Sequence, residues 1–344
     1  MNMEQNCEQF KLPEIPESPN YFQAIKDIGT GYSALYQCHK SLAEANNQSV
    51  ITYTAYYTLS ELYAISHFSQ NEMKIIVGMT IMWTLVRFLM ANGVYAYFIN
   101  KLTGIPTETV LKVRESLWKF TAYFFLWATS FYVTFFRGHD FFWNTSMFFS
   151  YDRNNHFDLN LCYALEATFY IHSVFATLFL DVKRKDDFAM LLHHVVTLLL
   201  IGMSYKIQSI TIGVLIFMLD DISDFLLELA KIFKYITESN EYRNSSVLLL
   251  ASDISAGSFA VLWVTNRLYL HITKVQRGAA YGTMCSGGFF NGKGPVPLRL
   301  GFLQNAFVAS LYIFYVYWFL FIAGFIFRMI FTRDHKNDPR EKVE

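Results

Sequence analysis

What most constrains this chain is a series of long stretches almost free of charge. An apolar helix of about 20 residues is what crosses the hydrocarbon core of a bilayer. Seven such stretches can be read: Ile75–Ile99, Leu117–Phe136, Leu161–Leu180, Phe188–Tyr205, Ile207–Ala230, Val247–Leu270 and Asn305–Phe331. Each must be helical, because lipid offers unpaired backbone groups no partner. The chain therefore reads as an all-α polytopic membrane protein with about seven transmembrane helices. The last six are expected to form a barrel-like bundle around a polar chamber. Only 16% of the 344 residues are charged, against about 25% in soluble domains. The formal net charge is zero, so no nucleic-acid partner is indicated. Cys7, Cys38, Cys162 and Cys285 show neither a metal-type spacing nor a disulfide framework. No signal peptide is expected, and the run near Ile75 is read as a signal anchor.

Residues 1–74 form a polar, tyrosine-rich N-terminal segment, with Val50–Ser66 read as an interfacial or soluble helix and an eighth span as the alternative. Residues 75–99 are the first anchor, 110–332 the main membrane domain and 333–344 a tail. Basic residues set the orientation. Lys101, Lys112 and Arg114, then Lys183, Arg184 and Lys185, then Lys231, Lys234 and Arg243 fall on one side, joined by Arg328, Arg333, Lys336 and Arg340. That side is read as cytosolic, which leaves the N-terminus lumenal; Lys274, Arg277, Lys293 and Arg299 argue weakly against it. The sequons at Asn47 and Asn144 fall on the lumenal side and that at Asn244 on the cytosolic side.

Ionisable groups inside spans are costly, and their default reading is functional. Span four carries His193 and His194, with Thr197 a turn on; span five carries Asp220, Asp221 and Asp224, then Glu228 and Lys231. From the helical rise, His193 sits roughly 8 Å and Asp224 roughly 10 Å from the cytosolic face. Asp221, Asp224, Glu228 and Lys231 share one helix stripe. Glu166, Tyr170, Ser173 and Thr177 make another, with His172 on the same span; Arg87, Asp253, Asn266 and Arg267 add further polarity. Together they imply a polar chamber between helices, open to the cytosol. A single membrane histidine is usually a helix–helix hydrogen-bonding group. Zinc or iron is the other alternative, but neither HExxH nor a Glu-x-x-His pairing is present, so no metal is assigned. Lys183, Arg184 and Lys185 read first as topology determinants and second as contacts for a phosphorylated cofactor.

The stretch Leu178-Phe179-Leu180-Asp181-Val182-Lys183-Arg184-Lys185-Asp186-Asp187-Phe188, followed by His193-His194-Val195-Val196-Thr197, resembles the start of the Lag motif of ceramide synthases, membrane proteins with a TLC domain. Asp221-Ile222-Ser223-Asp224 with Leu227-Glu228 and Ala230-Lys231 resembles its close. Arg114-Glu115-Ser116 with Trp118-Lys119-Phe120, Tyr163 to Ala167 with Phe169-Tyr170, and Val264 to Leu268 resemble flanking segments of the same family. Thr211 stands where many members carry arginine, and Asp220 where many animal members carry histidine. The resemblance implies transfer of a fatty acyl group from acyl-CoA to the amine of a sphingoid base, giving ceramide or dihydroceramide, in the endoplasmic reticulum membrane. His193, His194, Asp221 and Asp224 are the expected catalytic residues, the histidines as base or nucleophile and the aspartates orienting an imidazole or holding the ammonium. Glu166, Tyr170, Ser173, Thr197, Asp220, Arg267, Lys183, Arg184 and Lys185 are expected to meet substrate. No bound cofactor is expected, with acyl-CoA as co-substrate. Sphingoid base and membrane lipids are expected partners, as are a homodimer or a heterodimer with a paralogue and a small membrane subunit. The rival reading is a non-enzymatic protein of the same fold acting in lipid sensing or beside the translocon.

Overall fold

The computed structural model describes residues 7–13, 20–102, 104–144, 156–207, 209–237, 239, 241–284 and 298–331. Among these, nine long helices run in order: α1 Tyr21–Ala45, α2 Val50–Ile65, α3 Gln70–Ile99, α4 Thr107–Phe136, α5 Phe157–Phe179, α6 Asp187–Lys206, α7 Ile210–Thr237, α8 Ser246–Gly282 and α9 Leu298–Phe331. Five of them, α3, α5, α6, α8 and the Leu300–Gly324 part of α9, are long and apolar enough to cross a membrane. The chain is an all-α polytopic membrane protein. The predicted spans in α4 and α7 are long helices too, but they fall short on composition. Trp, Tyr, Thr and Ser dilute α4, and Asp220, Asp221 and Asp224 interrupt α7. Lipid-facing apolarity is not required of α7, because Ile210–Asp221 is buried without a break.

Local chemistry sets the helix starts. Asn20, Ser49 and Ser69 each accept a hydrogen bond from the backbone N–H three residues on. At α3 the Glu72 side chain returns the bond to the Ser69 N–H, a capping box that satisfies two otherwise orphaned donors. Lipid is as apolar as leucine, so helices associate through close packing and polar contacts rather than the hydrophobic effect. Both are visible where α5 meets α6 and α7. A side chain at Gly213 would drive into the Tyr163 ring, whose hydroxyl shares a 3.0 Å hydrogen bond with Ser204.

α7 is the central helix, packed against α4 on one side and α8 on the other. α3 is peripheral and holds on through few groups. Trp83 donates to Thr168, Thr84 bonds the His172 ring, and Arg87 pairs with Asp181 at 2.6 Å. Between Trp263 and Gln276, α8 is wound as a π-helix rather than an α-helix.

The N-terminal segment is not a loose appendage. α1 seals one end of the bundle, with Gly31 lying directly against the Ala280 backbone. Buried Asp27 pairs with Arg277 at 2.7 Å, and Tyr32 donates to the Asn305 carbonyl. A disulfide between Cys7 and Cys38 closes this unit. It corrects the sequence expectation of no disulfide, because a separation of 31 residues carries no local pattern. Closing such a loop restricts the unfolded chain by about 3–4 kcal/mol in the chain-entropy model. Cys7→Ser should therefore lower the unfolding temperature of the purified protein. Reductant should lower the wild type to the variant's value and leave the variant unmoved.

Candidate active site

α4, α5, α6, α7, α8 and α9 enclose a chamber of about 350 Å³ that opens at the end opposite the α1 cap. His193 and His194 line it from α6, Asp224, Glu228 and Lys231 from α7, Tyr170 and Ser173 from α5, Arg267 from α8 and Trp318 from α9. The helical stripe explains the α7 contribution, since residues three and four apart share a face. Asp221 is only 2% exposed and sits behind the wall, next to Glu166 of α5. Among the described residues, neither Glu166 oxygen nor Asp221 Oδ2 meets full hydrogen-bond geometry. Thr197 faces a separate, smaller cavity deeper in the bundle and donates to the His193 carbonyl.

The two imidazoles are buried in aromatic surroundings. His193 lies edge-on to Trp318, with ring centroids 5.3 Å apart, and next to Phe314. His194 is T-shaped to Tyr170 at 5.6 Å. Among the described residues, the Nδ1 atom of each has no hydrogen-bond partner. The aspartates are engaged elsewhere. Arg267 pairs with Asp224 at 2.7 Å and donates to the Ser223 hydroxyl and the Asp220 carbonyl. Its guanidinium stacks over the Trp263 ring at 4.2 Å, a cation–π contact. Tyr315 donates to Asp220 Oδ2 at 2.5 Å. Asp220 thus supports Arg267 from behind, and Asp224 is the carboxylate of the triplet that reaches the chamber.

The mouth is a lattice of ion pairs around the segment joining α5 to α6. Lys119 bridges Glu115 at 2.6 Å and Asp181 at 2.9 Å, and Arg184 reaches Glu115 at 2.9 Å. Glu115 also accepts the Val182 N–H, while Trp318 donates to Asp186. Lys183 turns away and caps the end of α5 through the Thr177 and Leu178 carbonyls. Lys183 and Lys185 are exposed and neither lines the chamber, whereas Arg87, Lys119, Arg184, Lys231 and Lys234 do. Tyr315, Trp318 and Trp263 are site residues that sequence reasoning did not single out. A Tyr or Trp within an aromatic-rich span gives no sign of which face it takes.

Burial alone would raise the Asp181 carboxyl, but the charges of Lys119 and Arg87 outweigh it and hold the group well below the usual carboxylate range. A carboxyl held low in the folded state stabilises the fold above its unfolded value, near pH 4. That support is lost as pH falls towards the folded value. Asp181→Asn should therefore unfold earlier than wild type at neutral pH, with the gap narrowing only below about pH 4 and closing well below that. A gap of constant size across that range would show that the ion pairs contribute nothing.

Comparison with known proteins gives this arrangement a context. The family model of the TLC domain matches residues 112–324, which take in α5, α6, α7 and α8 whole and most of α4 and α9. The chain is 31% identical over 283 residues to human (Homo sapiens) ceramide synthase 1, covering 80% of this chain and 77% of that one. It is 30% identical over 257 residues to ASC1-like protein 3 of Oryza sativa subsp. japonica, covering 71% and 85%. It is 29% identical over 237 residues to ceramide synthase LOH2 of Arabidopsis thaliana, covering 68% and 75%. With its helical chamber and the paired histidines of its Lag motif, the chain belongs to the ceramide synthase family of TLC-domain membrane proteins.

Proposed function

We propose that this protein transfers a fatty acyl group from acyl-CoA to the amine of a sphingoid base, giving ceramide or dihydroceramide. The observation that carries the reading is the convergence of His193, His194 and Asp224 on one membrane chamber rimmed by cations, in a chain of this family. Imidazole is the side chain best suited to proton transfer near neutral pH. In one route it accepts the proton of the amine as nitrogen attacks the thioester carbon and the C–S bond breaks, with CoA leaving as the thiolate. In the other, one imidazole attacks the thioester carbon first, the C–S bond breaks with CoA leaving as the thiolate, and the imidazole carries the acyl group; the amine then displaces it while the second imidazole takes the amine's proton. Incubation with acyl-CoA alone, followed by intact-protein mass spectrometry, separates the routes, because only the second adds an acyl mass to the protein. Asp224 would hold the ammonium of the incoming base before proton transfer, with Arg267 fixing its position.

The basic rim suits the phosphates of CoA, with Arg184 and Lys234 as the arms of the mouth and Glu115 giving up its cations as CoA enters. Arg184→Ala/Lys234→Ala should raise KM for acyl-CoA roughly tenfold with kcat little changed, the pattern of lost uniform binding. A fall in kcat at unchanged KM would move those residues out of the binding role.

The mouth would face the cytosol, where acyl-CoA is made, and the α1 cap would face the endoplasmic reticulum lumen. The Cys7–Cys38 bond supports this, since disulfides persist in oxidising compartments. Asn47 sits exposed at the α1–α2 turn and should carry a glycan, whereas exposed Asn244 at the mouth end should not. Loss of a gel shift in Asn244→Gln but not in Asn47→Gln would reverse the orientation. The Asn144 sequon extends outside the described residues. Synthesis itself is tested by giving purified protein a long-chain acyl-CoA and sphinganine and reading dihydroceramide by mass spectrometry. No product from folded protein across several chain lengths would favour a non-enzymatic role or the need for a further subunit.

A further inference from the structure

At the sealed end of the bundle, away from the chamber, a second group of chemically competent side chains converges. His139 follows the end of α4, His156 immediately precedes α5, and Asp158 lies in the first turn of α5. One ligand atom from each lies within 4.8 Å of the others. His139 Nε2 is already 2.9 Å from Asp158 Oδ2, and the two imidazoles meet edge to face with centroids 5.2 Å apart. His139 is buried. The other Asp158 oxygen accepts the Leu159 N–H at 3.0 Å, which fixes the carboxylate in the way a supporting shell orients a ligand. Nothing in the chamber chemistry calls on these groups. Asp158 is twelve residues before Tyr170, roughly 18 Å along α5.

We propose that His139, His156 and Asp158 form a divalent transition-metal site, with zinc as the ion it takes, that clips the end of α4 to the start of α5. Two imidazoles and one carboxylate are a common zinc donor set, and they leave a fourth position for water. Zinc bonds of about 2.1 Å set tetrahedral ligand atoms about 3.4 Å apart, so closing the site asks for side-chain movements of about an ångström. Arg137 holds Asp158 Oδ2 at 3.1 Å but is 52% exposed, so its guanidinium can give up the carboxylate to the metal and turn to water. The consequence is mechanical. α4 carries Glu115 and Lys119 to the mouth, and α5 carries Tyr170 and Ser173 to the chamber, so a metal joining their far ends would fix the two walls relative to each other.

The test uses full-length protein in detergent, stripped with a chelator, reloaded with zinc chloride and desalted, with zinc read by mass spectrometry. About one zinc per chain is expected. It should be retained by His193→Ala/His194→Ala, which removes the chamber imidazoles, and lost in His139→Gln/His156→Gln and in Asp158→Asn. Zinc should raise the unfolding temperature of wild type by a few degrees, as any ligand of the native state does, and leave the two site variants unmoved. Asp158→Asn keeps the test open if the double variant fails to fold. Wild type that holds no zinc, or site variants that hold as much as wild type, would overturn the proposal. Loss of zinc with the chamber histidines alone would do the same, by moving the metal to the chamber.

Discussion

His193→Ala/His194→Ala protein is expected to lose roughly 10²–10⁴-fold in turnover, the contribution typical of a positioned acid–base group, while keeping its fold. The two rings sit on one helix turn of α6, and both face the chamber. Neither makes a side-chain hydrogen bond among the described residues, so removing them breaks no polar network. What is lost structurally is packing against Trp318, Phe314 and Tyr170. The assay is dihydroceramide formation by mass spectrometry, read beside the unfolding temperature and elution profile of each variant. The single variants refine the assignment. If one imidazole carries the acyl group, its alanine variant should show no acyl adduct with acyl-CoA alone, whereas the other should still acylate and then stall. Normal turnover in both single variants would refute a role for the pair.

Arg267→Met should be the most destabilising single change in the chamber wall, by about 3–5 kcal/mol, because removing one partner of a buried pair leaves an uncompensated charge. Arg267 is 3% exposed. It stands between Asp224 at 2.7 Å and the Asp220 carboxylate at 3.6 Å, with Trp263 and Tyr315 covering its faces. Methionine fills much of the same volume, so the loss isolates charge from packing. Adding Asp224→Asn to Arg267→Met should recover part of the loss, since the stranded carboxylate is then gone. That non-additivity is what a direct interaction predicts. Urea or thermal unfolding in a fixed detergent gives all four corners of the cycle. An Arg267→Met protein within about 1 kcal/mol of wild type, the range of an exposed pair, would mean that the network is solvated.

Much of the membrane architecture is legible in the chain, because bilayer thickness and backbone pairing leave few choices for long uncharged runs. The stripe on α7 is legible for the same kind of reason, since helical spacing alone puts Asp224, Glu228 and Lys231 on one face. What spacing does not reveal is which neighbour each group meets. Asp221 belongs to the stripe, yet it turns to Glu166 behind the wall, while Asp224 is taken by an arginine 43 residues later. Thr197 shares a face with His193 on paper but opens into another cavity. The α1 cap is the least readable part. Its helix has no long apolar run, and its decisive contact, Asp27 with Arg277, joins residues 250 apart. Gly31 gives no local signal that a second backbone lies against it.

The π-wound stretch of α8 ties the length of a helix to the pairing of charges. A π-turn takes one more residue than an α-turn and persists where that surplus places a needed side chain. Deleting one residue just before Trp263 would, with the winding unchanged, turn each residue beyond it by about 100° around the axis. Arg267 would leave Asp224 and Trp263 would leave the Tyr315 carbonyl, and the lost residue itself need touch neither. In this helix, residue count is thus as much a part of the active-site specification as residue identity, and an insertion or deletion there acts as a rotation.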